Sequence, residues 1–568
     1  MNYVSLNSSV HDIIQAMKYD PTSSLPSGFT VVLDENNKVL GVISDSDIRK
    51  QVVLPGKNPL ELTARNLMRS DFLFLYDFEL ENNDYSRLTS MAIKREINFK
   101  TSIQFIPILD KEMKIIRILH ITDLIQFWQN FEEKIVVIGL GFVGLTFALS
   151  MAEKGKSVIG VDSDVDNIKD LSEFKPRIYE PELETILKNT LGSTFNIFDT
   201  KSYLLKDLDS SPAVYIVCVG TPVHSGAIVT SQIEESLDSI IKIIKKGDTV
   251  ILRSTIPIGF SRQMAHKIME NTKLTVGIDF YFGYAPERTI EGNAIKEMVN
   301  IPQIYCGMTD ACSSKIEKVF DSVVNSKIKC ESLEACELGK LMSNAYRDVT
   351  FAFANELSIV AQQFNLDINK LIYEVNTGYP RNSIAQPSPG VGGPCLSKDS
   401  FILLDSINLP DSVISSARKL NSKLPEYHLT QLMNLIDQEV NPKILIIGLA
   451  FKGEPETKDT RNSTAIDIIT LLLSKKINNL ELQVYDHMLG ELEIKKMSLI
   501  PYNPRDFWKP NLVFILNNHF NNFNLFNEIL KDLNSVKLFD PWYLCSSLFK
   551  DPRVKVVKTL SKTLYNHA

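Results

Sequence analysis

The sequence predicts an α/β protein with two doubly wound parallel sheets, joined by a long central helix and preceded by a smaller α+β module. A glycine-rich turn links a β-branched strand to a helix at residues 134–153, and a second strand starts a similar unit at 443–451. Between them, apolar residues recur at helical spacing from Glu334 to about Phe364. A chain of 568 residues has room for these parts, since domains average roughly 100–200 residues.

Composition narrows the class of protein. Apolar residues make up 44% and charged residues 23%, as in ordinary globular domains rather than disordered or coiled-coil chains. The net charge of −7 argues against broad binding to nucleic acid or to an anionic membrane surface. The seven cysteines lack C-x-x-C spacing, and the first residues lack the pattern of a signal peptide. We therefore expect a reduced, cytoplasmic protein with no metal site.

A dinucleotide site is predicted by the stretch KIVVIGLGFVGLTFALSMAEKG. Gly139 permits a tight turn, Gly141 lets a pyrophosphate approach the backbone, and Gly144 lets helix and strand pack closely. The next strand ends at Asp162, in register to accept the hydroxyls of an adenosine ribose. An acid at that position favours NAD and repels the extra phosphate of NADP.

The same stretch carries no charge over the 18 residues from Ile135 to Ala152, which is the length of a membrane span. A strand buried on both faces, followed by a covered helix, explains the run equally well. The glycine spacing favours this second interpretation, so we predict an NAD site and no membrane segment. Phe142 and Val143, at the start of the helix, are further candidate cofactor contacts.

Two later strands add candidate cofactor contacts at their carboxyl ends. The run AVYIVCVGTP contains Gly220 and Thr221, and the run TVILRSTIPIG contains Ser254 and Thr255. Ligands of doubly wound sheets bind at these ends of the strands, so all four residues are candidates. For Thr221 alone, a structural turn explains the residue about as well as a ligand contact.

A reactive cysteine is predicted in the loop PRNSIAQPSPGVGGPCLSKDSF. Glycines and prolines surround Cys395, so a substrate can approach its thiol, and Lys398 and Asp399 follow closely. In the central helix, Lys340 and Asn344 are four residues apart and share one face. Taken alone, Lys340 is explained by a solvated position beside the apolar stripe, and a free cysteine is usually a small core residue.

Together these features resemble a known family, the nucleotide-sugar 6-dehydrogenases that act on UDP-glucose, UDP-N-acetylglucosamine or UDP-N-acetylmannosamine. Seven motifs occur in the family's order from about residue 133 to the C-terminus. They are GLGFVGL (139–145), VGTP (219–222), STIPIG (254–259), APERTIEG (285–292), ELGKLMSNAYRDVTFAFANEL (337–357), GVGGPCLSKD (390–399) and GLAFKGEPETKDTRNS (448–463).

The resemblance implies a four-electron oxidation, in which a primary alcohol at carbon six becomes a carboxylate while two molecules of NAD are reduced. Cys395 is implied as the nucleophile, because a thiolate that adds to the aldehyde restores a tetrahedral carbon with a transferable hydride. Lys340 and Asn344 are implied to stabilise the charge on the reacting oxygen. Asp399 is implied to place water and the lysine.

For the last step, the resemblance implies that Thr255 orients a water molecule and Glu287 takes its proton. Thr255 is explained equally well as the cap of a turn. The C-terminal unit is implied to hold the uridine diphosphate half, with Lys452 and Arg461 as ligand contacts. The motifs APER, RDVTFAFANEL and YPRNSI are more similar to the N-acetylhexosamine branch than to the UDP-glucose branch. Other implied substrate contacts are Arg288, Arg381, Gly392 and Gly393.

The first 130 residues contain two similar strand-turn-strand segments, FTVVLDENNKVLGVISDSDIRK and IQFIPILDKEMKIIRILHITDLIQF. They resemble a CBS-domain pair, a regulatory module in which a Thr/Ser-x-x-Asp motif holds an adenosine ribose. Ser44 and Asp47 fit this motif, whereas His120 replaces the hydroxyl residue before Asp123 in the second segment. A sensor of adenine nucleotides and a structural or oligomerising module explain the segment equally well.

The predicted organisation is a CBS pair (1–130), an NAD-binding Rossmann domain (131–325), a central helical dimerisation domain with the cysteine loop (326–435) and a UDP-sugar-binding Rossmann-like domain (436–568). The predicted function is NAD-dependent oxidation of UDP-N-acetylglucosamine or UDP-N-acetylmannosamine to the uronic acid, by a homodimer that serves polysaccharide biosynthesis. One alternative is a UDP-glucose 6-dehydrogenase. Another, from a different class, is a catalytically silent nucleotide-binding regulator.

Overall fold

The computed structural model describes residues 3–18, 28–52, 61–81, 105–120, 134–204, 212–224, 227–406 and 411–566. Asp123 lies outside these residues. The chain divides into two compact units, Met1–Glu132 and Glu133–Ala568, which are described in turn. Of the helices in the described residues, none combines the length and the apolar character that a membrane crossing requires.

The first unit contains two small sheets of the same design. In each sheet the first strand runs parallel to the second, and the second pairs antiparallel with the third. The strands are Tyr3–Ser5, Phe29–Leu33 and Val39–Ser44 in one sheet, and Leu75–Tyr76, Phe105–Leu109 and Ile115–His120 in the other. The helices are Val10–Ala16, Asp45–Val52, Ala64–Leu67 and Asp77–Glu81.

The hairpin turns of these two sheets have the same hydrogen bonds. Asp34 Oδ1 accepts bonds from the backbone N–H groups of residues 36 and 38, both at 2.8 Å. Asp110 Oδ1 accepts the equivalent bonds from residues 112 and 114, at 2.8 and 2.9 Å. Asn37 and Met113 occupy the same place in each turn and have φ values of 61° and 67°. The two sequence segments therefore share one local fold, although their sequences differ.

The second unit begins with an eight-stranded sheet that is parallel except where its third strand from the edge pairs antiparallel with the second. In spatial order the strands are Lys327–Lys329, Gln303–Gly307, Tyr281–Tyr284, Thr249–Leu252, Ala213–Val217, Lys134–Ile138, Val158–Asp162 and Phe195–Asp199. The helices of this part are Phe142–Glu153, Val165–Ser172, Leu183–Thr190, Thr200–Leu204, Ser231–Ile241, Phe260–Thr272, Ala294–Asn300 and Asp310–Phe320, and a short hairpin joins Val223–His224 to Ala227–Ile228.

The charge-free run of the sequence forms the centre of this sheet and the helix that covers it. Strand Lys134–Ile138 lies between two parallel neighbours, and separate apolar clusters cover its two faces. In helix Phe142–Glu153, every residue from Gly144 to Ala152 is buried. Burial on all sides accounts for a long stretch without charges.

The C-terminal part of the unit is a six-stranded sheet, parallel except for its last strand. In spatial order its strands are Glu481–Tyr485, Lys443–Ile447, Leu512–Ile515, Val536–Phe539, Val554–Lys558 and Thr563–Tyr565. Its α-helices are Thr464–Ser474, Glu491–Lys496 and Asn521–Lys531, and Ser546–Leu548 forms a 3₁₀ turn. The predicted fold class of two doubly wound sheets is confirmed.

A central helix of 31 residues, Leu333–Gln363, lies between the two sheets in sequence, as predicted. The Ser332 side chain caps it by accepting a bond from the N–H of Ala335 at 3.1 Å. Two later helices pack against it: the cysteine helix, Leu396–Asp405, and the supporting helix, Val413–Ile436. Helix Ile368–Asn376 follows the central helix directly.

Candidate active site

A cleft of about 700 Å³ opens at the carboxyl ends of the central strands of the eight-stranded sheet. Doubly wound sheets bind nucleotides at this edge. Among the predicted cofactor contacts, Gly139, Gly141, Asp162 and Gly220 line the cleft. Gly141 is the residue before helix Phe142–Glu153, so Phe142 and Val143 contribute the first N–H groups of that helix. Free N–H groups at a helix start attract a pyrophosphate.

The three glycines of the turn have three different environments. Gly139 has a φ of 89°, which side chains rarely adopt. A Cβ on Gly144 would lie 1.8 Å from the carbonyl oxygen of Gly139, so only glycine permits this approach of helix and turn. A Cβ on Gly141 would meet no atom within 4 Å, so the space above this residue is open. That open space beside the helix start fits the pyrophosphate of NAD.

Asp162 ends the strand beside the turn and is half-buried at the cleft. Its Oδ2 accepts a hydrogen bond from the N–H of Leu140 at 2.8 Å and another from Asn167 Nδ2 at 3.2 Å. Its Oδ1 accepts one from the N–H of Asp164 at 2.9 Å. The carboxylate is thereby fixed in the position expected for an acid that binds the ribose hydroxyls.

The remaining predicted cofactor contacts lie at the ends of the neighbouring strands. Ser254 is buried and donates a hydrogen bond to the carbonyl oxygen of Val219 at 2.6 Å, so its hydroxyl joins two strand ends. Thr255 is half-buried beside it. Thr221 is buried and accepts a bond from Lys398 Nζ at 2.9 Å, while its carbonyl oxygen accepts another at 3.0 Å. The cysteine helix is thereby attached to the cofactor side of the sheet.

Cys395 is the residue directly before the cysteine helix, and it reaches solvent. Asp399, one turn later, is fully buried. Its Oδ2 accepts a hydrogen bond from Asn344 Nδ2 of the central helix at 2.6 Å. Its Oδ1 is buried and has no partner among the described residues. The structure therefore brings together the cysteine, the acid and the asparagine that the sequence predicts.

Lys340 lies one turn before Asn344 on the central helix and is buried, so it is not a solvated surface lysine. Its ammonium group makes no ion pair or hydrogen bond with the residues that the structure describes. Its charge acts on both Cys395 and Lys398. A buried lysine without a protein acceptor is available to bind an oxygen of a ligand.

The protein that surrounds its sulfur raises the pKa of Cys395, even though the residue reaches solvent at one side. The negative charge of Asp399 raises that pKa further, whereas Lys340 and Lys398 lower it. The thiol is therefore protonated at neutral pH in the absence of ligands. Its reactivity depends on the balance between the acid and the two lysines.

Glu287 is buried, and both of its carboxylate oxygens are hydrogen-bonded. Arg253 pairs with its carboxylate, and its Oε1 accepts bonds from the N–H groups of Arg288 and Thr289 at 2.8 and 2.9 Å. Burial raises the pKa of Glu287, but the charge of Arg253 and these donors outweigh it, so the pKa is lowered. Arg288 also donates to the carbonyl oxygen of Pro302.

Glu291 was not predicted as a site residue, although it lies in the APERTIEG motif. Burial, and then the negative charge of Asp459, raise its pKa to about 7. Lys452 donates to its carbonyl oxygen, and burial lowers the pKa of Lys452 to about 8. The charge of Glu291 also acts on Cys395. The C-terminal domain supplies both Asp459 and Lys452, so the sequence around Glu291 alone does not indicate its environment.

The other predicted substrate contacts lie on two sides of Cys395. A second cleft of about 680 Å³ includes Thr221, Lys398 and Arg461, and Arg461 forms an ion pair with Asp459. Arg381 is exposed, stacks its guanidinium 4.5 Å from the ring of Tyr379 and has no acidic partner in the described chain. Gly392 and Gly393 precede Pro394, and a Cβ on either would meet residues of the C-terminal domain, Asn462 and Phe451.

In the first unit, Ser44 and Asp47 are hydrogen-bonded to each other. Asp47 Oδ2 accepts from the Ser44 N–H at 2.9 Å and from its hydroxyl at 2.6 Å. Arg69 forms a salt bridge with the same carboxylate at 3.1 Å. His120 ends its strand, and Asp123 falls outside the described residues, so the second half of this predicted site has no described counterpart.

Comparisons with known proteins identify matching domains along the chain. The NAD binding domain of the UDP-glucose/GDP-mannose dehydrogenase family matches residues 133–324, its central domain matches residues 334–423, and a CBS domain matches residues 2–54. The chain is similar to a UDP-N-acetyl-D-mannosamine dehydrogenase of Pyrococcus horikoshii, with 34% identity over 344 residues that make up 60% of this chain and 80% of the relative.

Two further relatives extend this similarity. A UDP-N-acetyl-D-mannosamine dehydrogenase of Campylobacter jejuni is 30% identical over 66% of this chain and 90% of its own length. The solved structure of the UDP-N-acetyl-mannosamine dehydrogenase Cap5O from Staphylococcus aureus is 28% identical, has a TM-score of 0.65, and covers 76% of this chain and 98% of its own.

Gly141, which has free space beside it, and Gly144, which does not, give a matched pair of variants. Gly144→Ala forces a Cβ against the Gly139 carbonyl, so we expect a loss of stability of about 1–3 kcal/mol. Gly141→Ala has room for its Cβ, so the midpoint of thermal unfolding should stay unchanged while NAD affinity falls roughly tenfold. Thermal unfolding and calorimetric NAD titration measure these effects. Equal unfolding temperatures for the two variants contradict the assignment.

The charges around Cys395 predict opposite effects of two substitutions on its thiol. Asp399→Asn removes a charge that raises the thiol pKa, so alkylation by iodoacetamide at pH 8 should become faster. Lys340→Met removes a charge that lowers it, so alkylation should become slower, each by up to about tenfold. Cys395→Ser gives the background rate of the other cysteines. Rates that move in the same direction for both variants rule out this charge balance.

Proposed function

The chain belongs to the UDP-glucose/GDP-mannose dehydrogenase family, the NAD-dependent nucleotide-sugar 6-dehydrogenases, and from this premise we propose that its substrate is a UDP-N-acetylhexosamine. The product is then the UDP-N-acetylhexosaminuronic acid. The relatives from Pyrococcus horikoshii and Campylobacter jejuni are both UDP-N-acetyl-D-mannosamine dehydrogenases, which favours UDP-N-acetylmannosamine over UDP-N-acetylglucosamine. UDP-glucose is the alternative substrate within the family.

The convergence of four side chains carries this proposal. Cys395, at the start of its helix, lies within the charge field of Asp399 and Lys340, and Asn344 bonds directly to Asp399. A scaffold that has lost its catalytic function has no reason to keep a buried lysine and an unpartnered carboxylate oxygen beside an accessible thiol. The alternative of a catalytically silent regulator is therefore disfavoured.

We assign the nucleophilic role to Cys395. When NAD is bound, it supplies the acceptor for a hydride from carbon six in each of the two oxidations. The first oxidation converts the alcohol to an aldehyde, whose trigonal carbon is a poor hydride donor. The Cys395 sulfur then adds to this carbon, its thiol proton leaves, and the resulting thiohemiacetal carbon is again tetrahedral. The second oxidation leaves a thioester on Cys395.

Lys340 and Asn344 stabilise the negative oxygen that forms in each tetrahedral species. The Lys340 ammonium has no acceptor in the described chain, so it is free to bind this oxygen, and its position on a helix requires no reorganisation. Asn344 is oriented by its bond to Asp399. By resemblance, Asp399 helps to place a water molecule and Lys340, and its Oδ1, which has no partner among the described residues, is available to accept a hydrogen bond from that water.

Hydrolysis of the thioester requires a water molecule and a proton acceptor. By resemblance, Thr255 orients this water and Glu287 accepts its proton, while the thiolate of Cys395 leaves as the carbonyl carbon gains the water oxygen. The lowered pKa of Glu287 means that it is ionised but a weak base at neutral pH, so a proton from water has to compete with Arg253 and the two N–H donors. Ser254, which bonds to a neighbouring strand end, keeps Thr255 close to the cofactor cleft.

The substrate contacts follow from the charges beside the second cleft. Arg461, which lines the second cleft, and Lys452 offer positive charge to the diphosphate. Gly392 and Gly393, which are substrate contacts by resemblance, let the loop before Cys395 pack against Asn462 and Phe451. Arg288 and Arg381 serve the acetamido side of the sugar or the phosphates. The chain is then organised as 1–130 for regulation, 131–325 for NAD, 326–435 for dimerisation and catalysis, and 436–568 for the UDP-sugar.

For the first unit, two roles remain proposals of equal weight. Ser44 and Asp47 suit a ribose, so an adenine nucleotide is one proposed ligand, and a structural or oligomerising role is the other. A nucleotide that binds Asp47 has to displace the salt bridge from Arg69. Thermal unfolding of the full chain at saturating NAD, with and without AMP or ATP, separates the two roles. NAD then occupies the cleft of the first sheet, so a further rise in stability reports a ligand of the first unit.

We propose a homodimer that forms through the central helix. One face of this helix is apolar yet exposed, and the spacing of its residues by one or two helical turns makes the face continuous. Met342, Tyr346 and Phe353 on this face are 58%, 69% and 53% exposed. A single subunit leaves this surface in water, whereas a second copy covers it.

A charge on this face should abolish the dimer. We expect Tyr346→Arg combined with Phe353→Arg to sediment as a monomer in analytical ultracentrifugation, since two buried arginines without partners oppose association. Ile278→Arg is the matched control, because Ile278 is also exposed (76%) but belongs to the first sheet domain, and its oligomeric state should match the wild type. An unchanged dimer in the double variant contradicts the assigned interface.

The reaction itself is tested by counting NADH against consumed sugar. Purified protein with NAD and UDP-N-acetylmannosamine should yield two molecules of NADH per sugar, whereas UDP-glucose should be turned over at least about tenfold more slowly. Cys395→Ser should form no net carboxylate while it still binds NAD, because only the thiol carries the second oxidation. Turnover of UDP-glucose alone overturns the proposed sugar, and no turnover with any UDP-sugar overturns the enzyme assignment.

A further inference from the structure

The turn that follows Cys395 is held in place residue by residue. Residues 396–400 are the first five of the cysteine helix, and each makes a hydrogen bond to a residue from elsewhere in the second unit. The partners are Arg418 Nη1 for the Leu396 carbonyl (3.2 Å), Asn462 Nδ2 for the Ser397 hydroxyl (2.9 Å), Thr221 for Lys398 (2.9 Å), Asn344 for Asp399 (2.6 Å) and Asp348 for the Ser400 hydroxyl (2.9 Å).

Asp348 and Arg418 contribute two of these five contacts and are also paired with each other. Asp348, on the central helix one turn after Asn344, is completely buried, and Arg418, on the supporting helix, is 4% exposed. Arg418 Nη1 lies 2.9 Å from Asp348 Oδ1, and Asn421 Nδ2 donates to the same oxygen at 2.7 Å. The ion pair therefore joins three helices at one point.

Fewer hydrogen bonds hold the segment before Cys395: the Gly393 N–H donates to the Asn462 carbonyl oxygen at 3.2 Å, and the Ser388 N–H donates to Asn355 Oδ1 at 2.8 Å. Residues 380–394 contain no helix or strand in the structure, and prolines and glycines make up much of this loop. The residues after Cys395 therefore make the denser set of contacts that position the sulfur, through the first turn of the cysteine helix. The position of this first helical turn depends on the side chains that bind Leu396, Asp399 and Ser400.

We propose that Asp348 and Arg418 are positioning residues for the nucleophile, and that their buried ion pair fixes the cysteine helix so that the Cys395 sulfur faces the reacting carbon beside Lys340. This inference rests on the proposed function of Cys395. Neither residue touches the reacting atoms, since Asp348 acts through Ser400 and Arg418 acts through the Leu396 carbonyl. Asn344 and Asp348 share one helix face, so the same helix positions both the acid and the nucleophile.

The reaction sequence makes a specific prediction about the step affected. Cys395 enters only after the first oxidation, so a displaced sulfur slows thiohemiacetal formation and leaves NAD binding intact. Misplacement of a reacting group by about 1 Å is sufficient to lower its rate roughly 100-fold. We therefore expect loss of kcat with little change in the KM for NAD.

The deciding variant replaces the pair by apolar residues, Asp348→Leu with Arg418→Met. Replacement of both charges avoids an unpaired buried charge and commonly preserves stability, so we expect this variant to fold with a similar unfolding temperature. It should nevertheless lose at least about tenfold in kcat and change the rate of Cys395 alkylation by at least about threefold. Ser400→Ala, which removes one uncharged bond, should show the same changes at smaller size.

Gln362→Met is the matched control. Gln362 also joins the central helix to the supporting helix, through bonds to Gln431 and Tyr427 at 2.7 and 2.5 Å. It lies about 21 Å further along the helix, so kcat and alkylation should match the wild type. Wild-type kcat and alkylation in a folded double variant overturn the inference and reduce the pair to a structural role.

Alkylation also separates this inference from the proposed function. Its rate reports the surroundings of the Cys395 sulfur whether or not a UDP-sugar is turned over, with Cys395→Ser as the blank. If the wild-type protein is inactive but its alkylation rate depends on Asp348 and Arg418, the enzyme assignment is wrong and the positioning role is supported. If the protein is active but neither its alkylation rate nor its kcat changes when the ion pair is replaced, the positioning role is wrong and the enzyme assignment is supported.

Discussion

The constraint on which the active site depends is the buried polar face of the central helix. Glu337, Asn344, Asp348 and Asn355 are buried along this helix, and their spacing of one or two turns places them on one side. Their partners are, in order, backbone N–H groups of the first sheet domain, the cysteine helix, the supporting helix and the loop before Cys395. Buried polar groups need such partners, so each bond fixes one part of the site relative to the central helix.

Two polar groups at the centre of this site lack a protein partner, so they are available to bind a ligand. Asp399 Oδ1 is buried and Lys340 as a residue is 7% exposed, and neither the oxygen nor the ammonium makes a hydrogen bond with the described residues. Buried groups of this kind are rare in folded proteins because desolvation is costly. A ligand that brings both an oxygen and a hydroxyl or water to this point satisfies them together. The raised pKa of Cys395 keeps the thiol neutral until then.

Features that the sequence predicted correctly are encoded within short windows. The central helix follows from the spacing of apolar residues, and the cofactor turn from three glycines and an acid within about 25 residues. The pairs Arg253–Glu287 and Asp348–Arg418 are separated by 34 and 70 residues, and they meet only because strands and helices pack together. Local patterns contain no information about such partners. The hydrogen bonds that hold the turn after Cys395 were therefore not predictable from the sequence.

The two sheets of the second unit reuse one turn with opposite consequences for a dinucleotide. Gly448 has a φ of 93°, close to that of Gly139, and Asp486 accepts a bond from Leu449 as Asp162 does from Leu140. However, the second turn reads GLAFKG, so an alanine takes the place of the glycine whose surroundings are open in the first turn.

The acid of the second turn, Asp486, is also less accessible to a ligand than Asp162, the acid of the first turn. Asp486 is 3% exposed, and its Oδ2 also accepts a bond from the N–H of Ala450 at 2.9 Å, whereas Asp162 borders the cofactor cleft. The Ala450 Cβ lies at the position where the first turn is open to a pyrophosphate, and the Asp486 carboxylate is buried and bonded to two backbone N–H groups. These two side-chain differences therefore distinguish the second turn from the dinucleotide-binding turn of the first sheet.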